Sequence, residues 1–137
     1  MSEADVRLFR SWIEQSAAAE DPLDFAYQNM WAEDIDHRAA EGAPDDHGPI
    51  IGRDAMRRYL GEWYEMFDGY KLAVEDVIDA GEGRVLIVYR GSGQARASGV
   101  PVDMSVFSIL TIRDGKIVRG REYLTMDEAL RAAGLSD

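Results

Sequence analysis

At 137 residues, with 46% hydrophobic and 30% charged residues, the chain has the make-up of one globular domain, 1–137, with a core of its own. A net charge of -11 argues against nucleic-acid phosphate and anionic lipid as partners, and leaves an uncharged pocket ligand open. The absence of cysteine excludes disulfides, thiolate metal sites and a cysteine nucleophile.

Val6, Phe9, Ile13 and Ala17 recur at three- and four-residue spacing, which predicts a helix over about 3–18. Charges throughout the first ten residues do not fit a signal peptide, and no stretch nears the ~20 apolar residues of a membrane span. The expected location is therefore cytoplasmic. Asp21-Pro22 opens a second helix, since aspartate caps free N–H groups and proline needs no donor in the first turn. That helix carries Leu23, Ala26, Tyr27, Met30 and Trp31 on one side and ends before Asp34.

Residues 35–39 read as a short strand, and 41–52, rich in Gly, Pro and Asp, as a loop. A third helix over 53–67 bears a stripe of Met56, Tyr59, Leu60, Trp63, Tyr64 and Phe67. Strands follow at 71–80, 84–96, 102–113 and 116–124, separated by glycine-containing turns. The run Val85-Leu86-Ile87-Val88-Tyr89 is apolar at every position and predicts burial on both faces. Thr125 with Glu128 is a capping-box pattern for a last short helix, which Gly134 stops. The order predicts α+β architecture: a curved antiparallel sheet with helices over one face.

Alternation then assigns faces. Val102, Met104, Val106, Ser108, Leu110 and Ile112 form the more apolar side of their strand, placed inward. In the final strand, Ile117, Arg119, Arg121 and Tyr123 are placed outward, with Val118, Gly120, Glu122 and Leu124 inward. A carboxylate among apolar neighbours costs several kcal/mol unless paired or protonated. Burial would raise its pKa toward neutrality, as proton-transfer catalysis requires. The alternative is a structural acid paired with an arginine.

Trp31-Ala32-Glu33-Asp34, Gly52-Arg53-Asp54-Ala55, Arg113-Asp114-Gly115-Lys116-Ile117 and Arg121-Glu122-Tyr123-Leu124 together resemble the SnoaL-like proteins. These belong with the ketosteroid-isomerase-like and nuclear-transport-factor-2-like folds. The resemblance covers nearly the whole chain. It implies a cone of sheet and helices around a small-molecule pocket, with homodimers usual. The family includes polyketide cyclases, ketosteroid isomerases, limonene-epoxide hydrolases and scytalone dehydratase, so fold does not fix activity.

An aspartate acid/base of the cyclases, and one of the epoxide hydrolases, is similar in position to Glu122. Tyr89 and Gly91 stand where the hydrolases carry an arginine and a second aspartate. Ala39 stands where the isomerases carry their base, and Ser108 near their oxyanion-hole acid. Those two mechanisms are therefore not implied. His37 corresponds to a water-holding tyrosine of the epoxide hydrolases.

His37 is a candidate base or an orienter of Glu122, against a hydrogen-bonded core histidine. Tyr89 and Ser108 are candidates to hold a substrate oxygen. Trp31, Met56, Tyr59, Trp63, Met104 and Leu124 complete the candidate wall, each also readable as core. The loop Asp45-Asp46-His47-Gly48 reads as solvated, because its histidine lacks metal-ligand spacing to His37. Gly91, Gly93 and Gly99 read as bends in strands.

Two functions fit. One is an enzyme without cofactor or metal that moves a proton on a small apolar substrate, with Glu122 and His37 as catalytic residues. The other is a non-catalytic ligand-binding module or homodimer, with Arg119, Arg121 and Tyr123 near the interface.

Overall fold

The computed structural model describes residues 2–135. Helix α1 (Ser2–Ala17) sends Phe9 and Trp12 into the core, where they are 2% and 5% exposed and meet edge to face. Burying one such side chain contributes about 1.5–3 kcal/mol. Asp21 Oδ1 accepts from Leu23 N at 3.0 Å and Asp24 N at 3.2 Å, which starts α2 (Pro22–Asn29) where the sequence places it. α3 spans Arg53–Met66 and packs beside α2, with Arg53 donating to Tyr27 O and stacking over the Tyr27 ring.

Six strands form one sheet: β1 (Trp31–Arg38), β2 (Ile50–Ile51), β3 (Phe67–Gly81), β4 (Arg84–Ala95), β5 (Pro101–Arg113) and β6 (Lys116–Tyr123). Their order is β2-β1-β6-β5-β4-β3. The sheet is open at both edges. It is mixed, which corrects the expected all-antiparallel sheet, because β1 pairs parallel to β6 while its other pairings are antiparallel.

That parallel pair also moves an element boundary. Ile117 N donates to Met30 O at 2.8 Å and Ile117 pairs with Trp31. Trp31 thus begins a strand instead of ending α2, its ladder bond outweighing helical periodicity.

The sheet has a different layer on each face. One cluster joins Phe9, Trp12, Trp31, Ile35, Met56, Val85, Ile87 and Leu110 under α1–α3. The opposite cluster sets Leu86 and Ile109 against Ala129 and Ala133 of α4 (Met126–Ala133). Val85, Leu86 and Ile87 are all fully buried for this reason. α4 starts where Thr125 Oγ1 accepts from Glu128 N at 3.1 Å. It stops at Gly134, whose φ of 76° is the left-handed conformation glycine adopts without cost.

A register shift between Thr111 and Ile112 resets the parity of β6. Ile112 pairs with Ile117, whereas Thr111 pairs with Arg119, so one extra residue lies in β6. Ile117 is 3% exposed and joins the inner cluster, which corrects its outward assignment. Glu122, beyond the shift, keeps the inward side beside Ser108.

Candidate active site

A cavity of about 250 Å³ lies between α1–α3 and the inner sheet face. Of the residues expected on its wall, Trp31, Met56, Tyr59, Trp63, Tyr89, Met104 and Ser108 line it, with Glu122 and His37. Leu124 does not. It is 58% exposed, past the end of β6, where strand alternation no longer governs its direction. The wall is chiefly aliphatic and aromatic, and no lysine or arginine contributes to it among the described residues.

Glu122 and His37 come from neighbouring strands. The parallel ladder sets His37 opposite Gly120, and Glu122 follows two residues on, on the same face. His37 Nε2 lies 2.5 Å from Glu122 Oε2. The imidazole is 4% exposed, and its Nδ1 has no hydrogen-bond partner among the described residues. A hydrogen on Nε2 meets the carboxylate with a donor and leaves an unpaired acceptor at Nδ1. The other tautomer would bury an unpaired N–H and aim a lone pair at the carboxylate. The geometry therefore assigns the hydrogen to Nε2. Gly120 makes room for the ring, since a Cβ there would overlap His37 Nδ1.

Glu122 has no arginine partner among the described residues. Arg121 instead donates to Asp36 O at 2.9 Å and pairs with Asp36 Oδ1 at 3.2 Å. The polar contacts of Glu122 with His37 and Tyr59 both fall on Oε2. Oε1 makes none among the described residues, and the side chain lines the cavity. This oxygen can accept a proton from a bound molecule, with His37 holding the other one still.

The loop between β1 and β2 supplies a group that sequence reasoning missed. Asp45 Oδ2 accepts from Tyr59 OH at 2.7 Å and from Trp63 Nε1 at 3.1 Å. Tyr59 OH also lies 3.3 Å from Glu122 Oε2. One phenolic hydrogen serves one carboxylate at a time, and the shorter distance gives it to Asp45. Burial first, then the charge of Glu122 and the bond to Asp45, hold the Tyr59 phenol far above its usual range, so it remains a donor.

Asp46 shapes the loop by accepting from Arg38 at 3.3 Å and from Gly42 N at 3.2 Å. Asp45 and Asp46 are half-buried, which corrects the solvated reading for both, while His47 is exposed. The one signal in the sequence was an acid-rich loop preceding a helix with Tyr and Trp on its inner stripe. Nothing in it paired acid with ring.

Gly91 and Gly93 serve close approach rather than bending alone. A Cβ at Gly91 would stand 2.6 Å from Tyr70 OH, and one at Gly93 would stand 3.1 Å from Asp68 O. No group of three or more His, Asp or Glu gathers to hold a metal ion among the described residues.

Comparison with known proteins adds the family. No curated protein matches the sequence significantly. An NTF2-like protein from Burkholderia thailandensis is 24% identical, with a TM-score of 0.71 over 91% of this chain and 95% of that one. A protein from Jannaschia named as a SnoaL-like polyketide cyclase is 17% identical, with a TM-score of 0.70 over 96% and 92%. TerC, co-crystallised with polyporic acid, is 17% identical, with a TM-score of 0.64 over 96% of each chain. These likenesses establish the fold. The SnoaL-like domain profile matches residues 9–120, through all three inner helices and into β6, and the chain belongs to the SnoaL-like family.

Proposed function

We propose that this chain is a cofactor-independent catalyst of proton transfer on a small, neutral, largely apolar substrate. The reaction class is isomerisation, cyclisation or water addition and elimination. One observation carries the reading: Glu122 sits on the wall of an apolar cavity with Oε2 held by buried His37 at 2.5 Å, and Oε1 makes no hydrogen bond to a described residue. Glu122 takes and returns the proton. His37 positions Glu122 and is not itself the base, because Nε2 faces the carboxylate and Nδ1 is packed over Gly120.

The wall's lack of lysine and arginine supports a neutral substrate, since a bound anion would find no counter-charge. The cavity volume, near the lower end of the ~300–1,000 Å³ usual for ligand sites, supports one or two rings. The neighbour named as a polyketide cyclase and the one crystallised with polyporic acid support a cyclic substrate. A homodimer belongs to the same proposal, and sedimentation equilibrium tests it.

The experiment is solvent deuterium exchange at the acidic C1 position of 2-tetralone, followed by proton NMR. The protein should accelerate exchange, and Glu122→Gln should remove at least ~100-fold of that acceleration. Exchange unchanged in Glu122→Gln would refute the assignment. Binding without exchange, across a panel of cyclic ketones, would favour a ligand-binding module.

A further inference from the structure

A base that takes a proton inside a filled cavity needs a route to pass it on. The Glu122 side chain is 16% exposed, and the wall around it is chiefly apolar. Its Oε2 has two polar neighbours, His37 and Tyr59. The His37 side is closed. The imidazole is 4% exposed, and Nδ1, across the ring from Glu122, has no hydrogen-bond partner among the described residues. A hydrogen passed into this ring finds no next acceptor.

The Tyr59 side is open. Its hydroxyl lies 3.3 Å from Glu122 Oε2 and 2.7 Å from Asp45 Oδ2. Because the hydroxyl donates to Asp45, a lone pair of the same oxygen is left for Glu122. Against an ionised Glu122 this contact sets two acceptors side by side. Once Glu122 holds a proton, the contact becomes a hydrogen bond with the carboxyl as donor. A half-turn of the carboxyl brings an oxygen protonated at the cavity side to this position.

Asp45 is placed to take the next hydrogen. Trp63 Nε1 donates to Oδ2 at 3.1 Å and holds the carboxylate against Tyr59. Oδ1 makes no hydrogen bond to a described residue. Asp45 is not part of the cavity wall; it is half-buried in a loop where Pro44 and His47 are exposed, so its carboxyl meets water. Burial first, then the charge of Glu122 and the bond to Asp45, oppose a tyrosinate at Tyr59. Both hydrogens therefore move together.

We propose that Tyr59 and Asp45 form a proton relay that carries the hydrogen taken by Glu122 out to solvent on the loop side of the wall. The Glu122 O–H bond breaks as its hydrogen joins Tyr59 Oη, and the former Tyr59 hydrogen joins Asp45 Oδ2. Glu122 is left a carboxylate, Tyr59 a neutral phenol and Asp45 a carboxylic acid, which loses its hydrogen to water. Run backwards, the same path returns a solvent hydrogen to Glu122. The inference rests on Glu122 being the base, as in the proposed function, and adds how that base is reset.

The test uses 2-tetralone carrying trace tritium at C1, in D2O buffer, with the uncatalysed rate subtracted. Protium loss and tritium loss are measured together. If the relay empties Glu122 faster than the proton returns to the ketone, C–H cleavage limits exchange and protium leaves much faster than tritium. Tyr59→Phe removes the relay, and Asp45→Asn keeps an acceptor for the phenol but takes no proton. Each should slow exchange by at least ~10-fold and bring the protium-to-tritium ratio toward unity, because the proton now returns before it exits. The double variant should be no slower than the slower single one, since the two steps are in series.

A merely structural role would displace Glu122, slow cleavage itself and leave the ratio as large as in the parent. That result, a parent ratio already near unity, multiplying effects in the double variant, or loss of all catalysis in both single variants would each overturn the relay. Exchange in the parent with any of these patterns would sink the relay and leave Glu122 as the base. No exchange in the parent, or exchange unchanged in Glu122→Gln, would sink the catalytic reading and the relay with it.

Discussion

Replacing Gly120 by alanine tests the seat of His37 directly. Gly120 pairs with His37 on one side and Leu110 on the other. A Cβ would overlap His37 Nδ1 and stand 3.1 Å from His37 Cε1 and 3.2 Å from Leu110 Cδ2. The imidazole has little room to yield, because Nε2 is held by Glu122 and the ring is 4% exposed. Overpacking of this kind costs about 1–3 kcal/mol. For a domain of this length that lowers Tm by about 3–15 °C. The His37 Cε1–H resonance should shift as the ring turns from Glu122. In a His37→Ala background the alanine at 120 meets no ring, so the double-mutant cycle should show coupling of about 1–3 kcal/mol. Urea melts of the four proteins measure it. Additivity within ~0.5 kcal/mol would refute the claim that Gly120 is there to admit the imidazole.

Two further outcomes concern the loop between β1 and β2. Asp45→Asn should cost about 1–3 kcal/mol, read by urea denaturation, because the bonds from Tyr59 and Trp63 weaken together. It should also red-shift Trp63 fluorescence; an unchanged melt and spectrum would deny that Asp45 fastens the loop to α3. At Asp46, the hydrogen bond from Arg38 and those from Gly42 N and Gly48 N hold the carboxyl below its usual range. Its stabilisation is full above the unfolded value of ~3.9 and is lost as pH falls through the lower folded value. Asp46→Asn should therefore lower stability at pH 7 and flatten the acid limb below about pH 4, the two proteins converging at the lowest pH, by thermal melts across pH.

The local rules were legible because they are local. Asp21-Pro22, Thr125 with Glu128, and Gly134 act through bonds within four residues, and each stands where the pattern puts it. The apolar run from Val85 foretold burial on both faces, although not that α4 would supply the second layer. Parity alone put Glu122 on the inward side. The same parity misplaced Ile117, because the extra residue in β6 is a property of its pairing with β5. Leu124 was misplaced for a related reason, as alternation has no authority past the last ladder bond.

By itself the sequence determined the starts of α2 and α4, the stop at Gly134, the α+β class and the inward carboxylate, but not the end of α2 or the short strand β2 inside the expected loop. The former follow from side-chain period and capping chemistry, which read neighbours along the chain. Tertiary structure alone decided that β1 runs parallel to β6, which sets His37 within 2.5 Å of Glu122 across 85 positions. It likewise decided that Asp45 meets Tyr59 and Trp63, and that the hydroxyls of Tyr64, Tyr70 and Tyr89 share one cavity without an acceptor among the described residues. Hydrogen bonds act over about 3 Å in space whatever the separation in sequence, so a one-dimensional pattern names the partners without pairing them.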